Sequence, residues 1–273
     1  GPLLLHFSHQ VMSEAPFLAV SLVALWLLER GIARAGLFDN RYLIGGFACA
    51  MLSYYIRSVG IALVGAAIVY LLLRRDFRRG LVFAGASFLA WLPWTLRNAH
   101  ISGHFVPIST NMGINLLVGH EEGATGVYRD GVDYWQLMEE ISHGETDPVR
   151  RDAVVARRMV ARIAGDPLRA LALAARKALL LWNPLLPGAA WPQQLVGALF
   201  SLPLLSLGLL GLWELRAQPL AQAVAALLLA LTLVHAVFFA HARFRLPIDM
   251  ALVAPAACWL AAHWPWGKRH VFA

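Results

Sequence analysis

The stretch Ala240-His-Ala-Arg-Phe-Arg-Leu-Pro-Ile-Asp249 lies between two long apolar runs, residues 220–239 and 248–262. Arg243 and Arg245 are therefore expected at or just inside a membrane boundary, and Pro247 is expected to start a new helix. Cations at that depth are costly, so they usually have an anionic partner or line a wet cavity. The stretch predicts membrane helices with basic side chains gathered at one end.

The composition of the whole chain is that of a polytopic membrane protein. Of its 273 residues, 59% are hydrophobic and 14% are charged, and the mean hydropathy is +0.60. A soluble domain of this length would have too little polar surface to cover itself. The net charge of +7 does not indicate nucleic-acid binding, because much of it lies in short loops where Lys and Arg set topology. Cys49 and Cys258 lack metal-ligand spacing and are expected to be core residues.

The apolar runs predict an all-α, polytopic transmembrane bundle with about seven spans. Transmembrane helices are expected in residues 1–98 and 193–273, with an extracytoplasmic loop region that carries amphipathic helices in residues 99–192. If the basic loop at residues 74–79 is cytoplasmic, nearly every unusual polar residue falls on the extracytoplasmic face. A functional site is therefore expected on that face of the cell (inner or plasma) membrane.

Three shorter segments have local predictions. Residues 42–56 and 58–73 predict either two short helices that meet at a buried Arg57 or one kinked hairpin. Residues 147–165 and 168–182 predict amphipathic helices, which either lie along the outer leaflet or pack on the bundle with solvated Arg side chains. Residues 102–126, rich in Gly, Asn, Ser and Thr, predict an extended loop with a short strand or two.

Polar residues at span ends are the candidates for chemistry, since no nucleotide-binding glycine loop, zinc-protease motif or CxxC pair appears. Glu14 is either an acid at a site or a favourable helix-end charge. Arg57 is either a phosphate ligand or a snorkelling anchor, and its planar fork suits phosphate oxygens.

The run from Arg97-Asn98 through Phe105-Val-Pro-Ile-Ser-Thr-Asn111, continued by Gly113, Asn115 and Gly119, resembles the GT-C superfamily of glycosyltransferases that use polyprenyl-phosphate sugars. The resemblance is to the bacterial branch related to protein O-mannosyltransferases and aminoarabinose transferases. Ser13-Glu14 before a Leu-rich span is similar to the family pattern, and so is Arg243-Phe-Arg245-Leu-Pro247. The Arg57 hairpin also resembles the family pattern, although relatives carry Thr-Arg or Thr-Lys there and Ser53-Tyr-Tyr-Ile-Arg57 departs from it locally.

This resemblance implies transfer of a sugar from a polyprenyl-phosphate carrier to a lipid, glycan or protein acceptor on the extracytoplasmic face. Such chemistry needs a carboxylate to activate the acceptor and cations to stabilise the departing phosphate. The implied catalytic residue is Glu14, the implied lipid-phosphate ligands are Arg57, Arg97, Arg243 and Arg245, and the implied cavity-lining residues are Asn111, Asn115 and His120. We expect no metal site and no tightly bound cofactor, with the polyprenyl-phosphate-linked sugar as donor substrate.

The chain opens Gly1-Pro2-Leu3, and the main acidic motif of the family lies upstream of anything that matches residue 1. We therefore expect a C-terminal part that lacks the main catalytic Asp and is inactive alone. A transporter or flippase of lipid-linked sugars is the alternative, for which inverted repeats would be expected. A scaffold subunit of a membrane complex is the third interpretation.

Overall fold

The computed structural model describes residues 13–32, 34, 36, 40–185 and 190–264. These residues are mainly helical, which confirms the all-α prediction, and the short strand or two predicted within residues 102–126 is absent from them. The helices are α1 (Glu14–Ile32), α2 (Arg41–Ile56), α3 (Ile61–Leu73), α4 (Phe77–Ser102), α5 (Met112–His120), α6 (Tyr134–Ile141), α7 (Pro148–Gly165), α8 (Pro167–Leu181), α9 (Trp191–Glu214), α10 (Pro219–Val237) and α11 (Leu246–His263). Short 3-10 turns cover Ser58–Gly60 and Ala242–Arg245.

Within the described residues, four helical segments are long and apolar enough to cross a bilayer. They are Ala15–Ile32, Trp191–Glu214, Pro219–Val237 and Ala242–His263, and Ser58–Leu73 is a shorter apolar helix. The chain is therefore a membrane-embedded helical protein by length and composition. The number of spans, about seven by sequence, stays a prediction.

The chain divides into two compact units that are each discontinuous in sequence. Unit 1 comprises Gly1–Ala84, Asn183–Leu231 and Ala242–Ala273, and unit 2 comprises Gly85–Trp182 and Thr232–His241. In unit 1, α9 packs against α11 through small residues, because a Cβ on Gly211 would lie 2.1 Å from the carbonyl oxygen of Pro255. Close approach of backbones at glycine is a common way for apolar helices to associate in lipid.

Unit 2 contains a small core built by α5, α6 and α7. Its buried side chains include Leu116, Leu117, Tyr134, Met138, Val155 and Met159. The predicted helix at residues 147–165 is confirmed as Pro148–Gly165, with Asp147 accepting hydrogen bonds from the backbone N–H groups of Val149 and Arg150. The apolar face that its 3.6-residue period defines is the face that enters this core.

An extended loop is predicted at residues 102–126, and this prediction is wrong for Met112–His120, which form helix α5. Residues Leu116 to His120 are all buried, so this short helix has no polar face and no amphipathic period to reveal it. The carboxylate of Asp152, from α7, accepts a hydrogen bond of 2.7 Å from the N–H of Gly113. That contact satisfies an N–H in the first turn of α5, where no intrahelical acceptor is available.

Candidate functional site

Arg57 lies at a break between two short helices of unit 1, as one of the two sequence interpretations expects. Its backbone is extended, with φ −147° and ψ 135°, between α2 and the Ser58–Gly60 turn. The turn folds back closely on α2, because a Cβ on Gly60 would lie 2.5 Å from the backbone nitrogen of Tyr54. The break leaves the Arg57 side chain half-buried.

Arg57 contacts the beginning of α1. Its Nη1 donates a hydrogen bond of 3.2 Å to the hydroxyl oxygen of Ser13. Ser13 precedes Glu14, the first residue of α1, and the side chain of Glu14 lies outside the described part of the chain. Two motifs that are far apart in sequence therefore meet at one place.

The third motif of unit 1, Arg243-Phe-Arg245, reaches the same place. Phe17, Leu18 and Leu246 form a buried apolar cluster. The partly buried side chains packed on it are Ile56, Val59, Ala242 and Met250. In sequence, Ile56 and Val59 lie on either side of Arg57, and Ala242 and Met250 lie on either side of the two arginines. This apolar cluster is where the Ser13, Arg57 and Arg243 segments converge.

Arg245 has its guanidinium occupied by partners inside the protein. Its side chain is 3% exposed and pairs with Asp249 at 3.1 Å, one helical turn further on. It also donates to the carbonyl oxygen of Asn183 and to the hydroxyl of Ser201. Each guanidinium nitrogen therefore has a partner inside the protein, and the assignment of Arg245 as a lipid-phosphate ligand stays a prediction.

Arg243 differs from Arg245 in its surroundings. Its side chain is half-buried, and its guanidinium carbon lies 5.0 Å from the ring centroid of Phe244. At the converging segments of unit 1, Arg57 and Arg243 are the two cations that keep part of their surface open.

Arg97 belongs to unit 2, where it is exposed and lies 5.1 Å from the ring centroid of Trp94. Its neighbour Asn98 has a structural role, since its Nδ2 donates to the carbonyl oxygens of Val106 and Ile108 at 3.2 Å each. The hydroxyl of Thr95, on the same face of α4, donates a hydrogen bond of 3.0 Å to the carbonyl oxygen of Pro107. The Arg97-Asn98 motif and the segment after it are thus linked by contacts that fix the loop onto α4.

The three predicted cavity-lining residues have different environments in unit 2. Asn111 is exposed and Asn115 is half-buried, whereas His120 is only 4% exposed. Their prediction as a shared lining stays a prediction.

His120 takes part in a buried polar cluster that sequence reasoning missed. Lys177, on α8, is 0% exposed, and its Nζ lies 2.9 Å from His120 Nε2 and 3.2 Å from the carbonyl oxygen of Val237. His120 Nε2 itself lies 2.8 Å from that oxygen. Val237 is the last residue of α10, so the ammonium faces the negative end of a helix dipole, which favours a cation.

Burial controls the protonation of both groups. It lowers the pKa of Lys177 to about 8, with the charge of Arg169 adding to the effect. Burial also lowers the pKa of His120, opposed by the Val237 carbonyl and assisted by Lys177 and Arg169. Nε2 of a neutral imidazole either carries a proton or offers a lone pair, so it donates to the Val237 oxygen or accepts from Nζ, but does not do both at once.

A cleft of about 530 Å³ opens beside this region of unit 2. Its lining combines apolar side chains with two carboxylates and two guanidiniums, and the charged residues are Glu121, Glu122, Arg158 and Arg162. Glu121 pairs with Arg129, and Arg162 lies 3.6 Å from Glu122. Among the described residues, no group of three or more His, Cys, Asp or Glu side chains is placed to hold a metal ion.

Comparison with protein-family models, with curated proteins and with solved structures found no match to this chain.

Proposed function

We propose that this protein is an integral membrane glycosyltransferase that takes its sugar from a polyprenyl-phosphate carrier on the extracytoplasmic face. Arg57 and Arg243 bind the carrier phosphate in this proposal. The observation that carries it is the convergence of the Ser13, Arg57 and Arg243 segments on the apolar cluster of Phe17, Leu18 and Leu246.

The chemistry of a polyprenyl phosphate matches that combination. The lipid joins a strongly apolar chain to an anionic phosphate, so its site needs apolar surface and cations side by side. Arginine suits the phosphate because its planar fork donates two parallel hydrogen bonds to oxygens. As the sugar leaves, negative charge on the phosphate grows, and fixed cations then lower the barrier.

The other polar residues of unit 1 position these cations. The Ser13 hydroxyl accepts from Arg57 at 3.2 Å and thereby limits the directions the guanidinium can take. Arg245 ties the turn that carries Arg243 to Asp249. Glu14, as the first residue of α1, is the proposed acid of the site, and it follows Ser13 directly.

The decisive experiment measures the release of polyprenyl phosphate. The intact protein is reconstituted in vesicles with a polyprenyl-phosphate-linked sugar, and released polyprenyl phosphate is quantified. Arg57→Gln and Arg243→Gln should each reduce release by about two orders of magnitude, as expected for loss of an electrostatic contact in a transition state. Arg150→Gln, on the exposed side of α7, is the matched control and should keep the parental rate.

Two results would contradict the proposal. Parental rates in both Arg57→Gln and Arg243→Gln would remove the phosphate-binding assignment. Transfer of the intact lipid-linked sugar between leaflets, with no polyprenyl phosphate released, would favour the alternative function, a transporter or flippase of lipid-linked sugars.

A further inference from the structure

Helix α8 carries a continuous apolar stripe on its exposed side. Leu168, Leu171 and Leu179 are 80%, 68% and 75% exposed, and Ala172 and Ala175 are exposed between them. The spacing of these residues places them on one face of a 3.6-residue helix. The opposite face holds the buried residues Leu173, Lys177 and Leu181, so α8 has two apolar sides, of which one packs into unit 2.

Helix α7 is different, although the two helices look alike in sequence. Its apolar residues Val155, Ala156 and Met159 are buried in the core of unit 2. Its outward side is basic, with Arg150, Arg157 and Arg158 exposed. Of the two amphipathic helices, α8 is the one whose exposed apolar stripe has no covering within the described residues.

Two hydrogen bonds link α8 to the end of a membrane-length helix. Lys177 reaches the carbonyl oxygen of Val237, the last residue of α10, at 3.2 Å. Trp182 Nε1, just after α8, donates to Thr232 Oγ1 of α10 at 3.0 Å. Thr232 and Val237 are about 7.5 Å apart along the axis at a rise of 1.5 Å per residue, so two side chains from the C-terminal end of α8 reach the last turn and a half of α10.

These contacts with the end of α10 indicate the depth at which α8 lies relative to the bilayer. The ends of α10 are expected near the two interfaces, because its Pro219–Val237 length just spans the hydrocarbon. A helix attached at Val237 and Thr232 therefore lies at headgroup depth or slightly below it. Tryptophan is favoured at that depth, and Trp182 is located there.

We propose that α8 is an interfacial helix whose stripe, Leu168, Leu171, Ala172, Ala175 and Leu179, is buried among lipid acyl chains. Arg176 is exposed on the flank of the stripe, where its aliphatic stem follows the apolar surface and its guanidinium meets headgroup phosphates. The occupant is lipid, because α8 is bonded through Lys177 and Trp182 to the end of a helix whose length and composition require a bilayer. This contact does not depend on sugar transfer.

Depth-dependent fluorescence quenching tests the proposal. Cys49→Ala and Cys258→Ala remove the native thiols, and a single cysteine is then placed by Leu171→Cys or Leu179→Cys and labelled with a small fluorophore. The intact protein is reconstituted in phosphatidylcholine vesicles that carry a nitroxide on the acyl chain. Both labels should be quenched several-fold more strongly than a label at Arg150→Cys, on the exposed basic side of α7.

Each of the following outcomes either supports or overturns the proposal that lipid covers the stripe. Quenching at Leu171→Cys and Leu179→Cys no greater than at Arg150→Cys would overturn the proposal. Efficient cross-linking of Leu171→Cys between two copies, without acyl-chain quenching, would also overturn it, because the stripe would then cover a second chain. Strong quenching at both positions in lightly loaded vesicles, without cross-linking, is the result expected.

Discussion

Lys177 Nζ lies 2.9 Å from His120 Nε2, and both atoms are within hydrogen-bond distance of the Val237 carbonyl oxygen. One fully buried ammonium thereby joins the C-terminal ends of α5 and α10. Gly119 and Gly126 make the room for it, because a Cβ at either would lie 2.9 Å from a Lys177 side-chain atom. Unit 2 thus encloses an amine whose charged form burial disfavours.

The first prediction concerns pH. Burial lowers the pKa of Lys177 to about 8, below its value in an unfolded chain. Between these two values the unfolded state binds more protons, so stability rises as pH increases through that window. Lys177→Met should remove this rise. The melting temperature in detergent, measured from pH 7 to pH 10, tests it.

Arg176→Met is the matched control, because it removes a neighbouring cation from an exposed position of the same helix. It should keep the parental pH dependence. An unchanged pH slope in Lys177→Met would show that another group causes the rise.

The second prediction concerns Gly119. A Cβ there would lie 1.7 Å from the carbonyl oxygen of Phe238, so backbone must move to admit even a methyl group. Gly119→Ala should lower the free energy of unfolding by about 3 kcal/mol, the upper end of overpacking costs. Gly165→Ala, where no atom lies within 4 Å of the added Cβ, should be neutral or slightly stabilising. Equal melting temperatures for the two variants would contradict the close approach of Gly119 to the Phe238 carbonyl.

The third prediction concerns the attachment of α5. Asp152 is 7% exposed and accepts the N–H of Gly113 at 2.7 Å. Asp152→Leu should cost about 1–3 kcal/mol, since a buried N–H then loses its acceptor. Amide hydrogen exchange should accelerate at residues 112–116 in this variant. Asp130→Leu, at an exposed position, is the control and should leave that exchange unchanged.

The sequence predicted those elements whose signals are local. The 3.6-residue period located α7 and α8, and Arg57 between two short apolar runs located the helix break. Helix α5 was missed because burial on every side removes the polar period, and its Gly and Asn residues are typical of loops.

The buried cluster had no local signal at all. Lys177 has Arg169 and Arg176 as neighbours on α8, so the sequence indicates another solvated or lipid-facing cation. Its contacts with His120 and Val237 span 57 and 60 residues, and only the tertiary fold brings these groups together. For Arg245 a local signal existed, because Asp249 follows at the i,i+4 spacing of a helical ion pair.

The last prediction separates that ion pair from ligand binding. Arg245 and Asp249 have side chains 3% and 14% exposed, so removal of one partner leaves a buried charge alone. Arg245→Met and Asp249→Leu should each destabilise the protein by about 3–5 kcal/mol, and the double variant should lose clearly less than the sum. Thermal unfolding in detergent measures this cycle.

Because Arg245 positions its segment and Arg57 is the proposed phosphate ligand, the double variant should still bind polyprenyl phosphate while Arg57→Gln should not. Strictly additive losses would contradict the coupling of Arg245 with Asp249. Loss of lipid binding in a folded double variant would instead make Arg245 part of the binding surface.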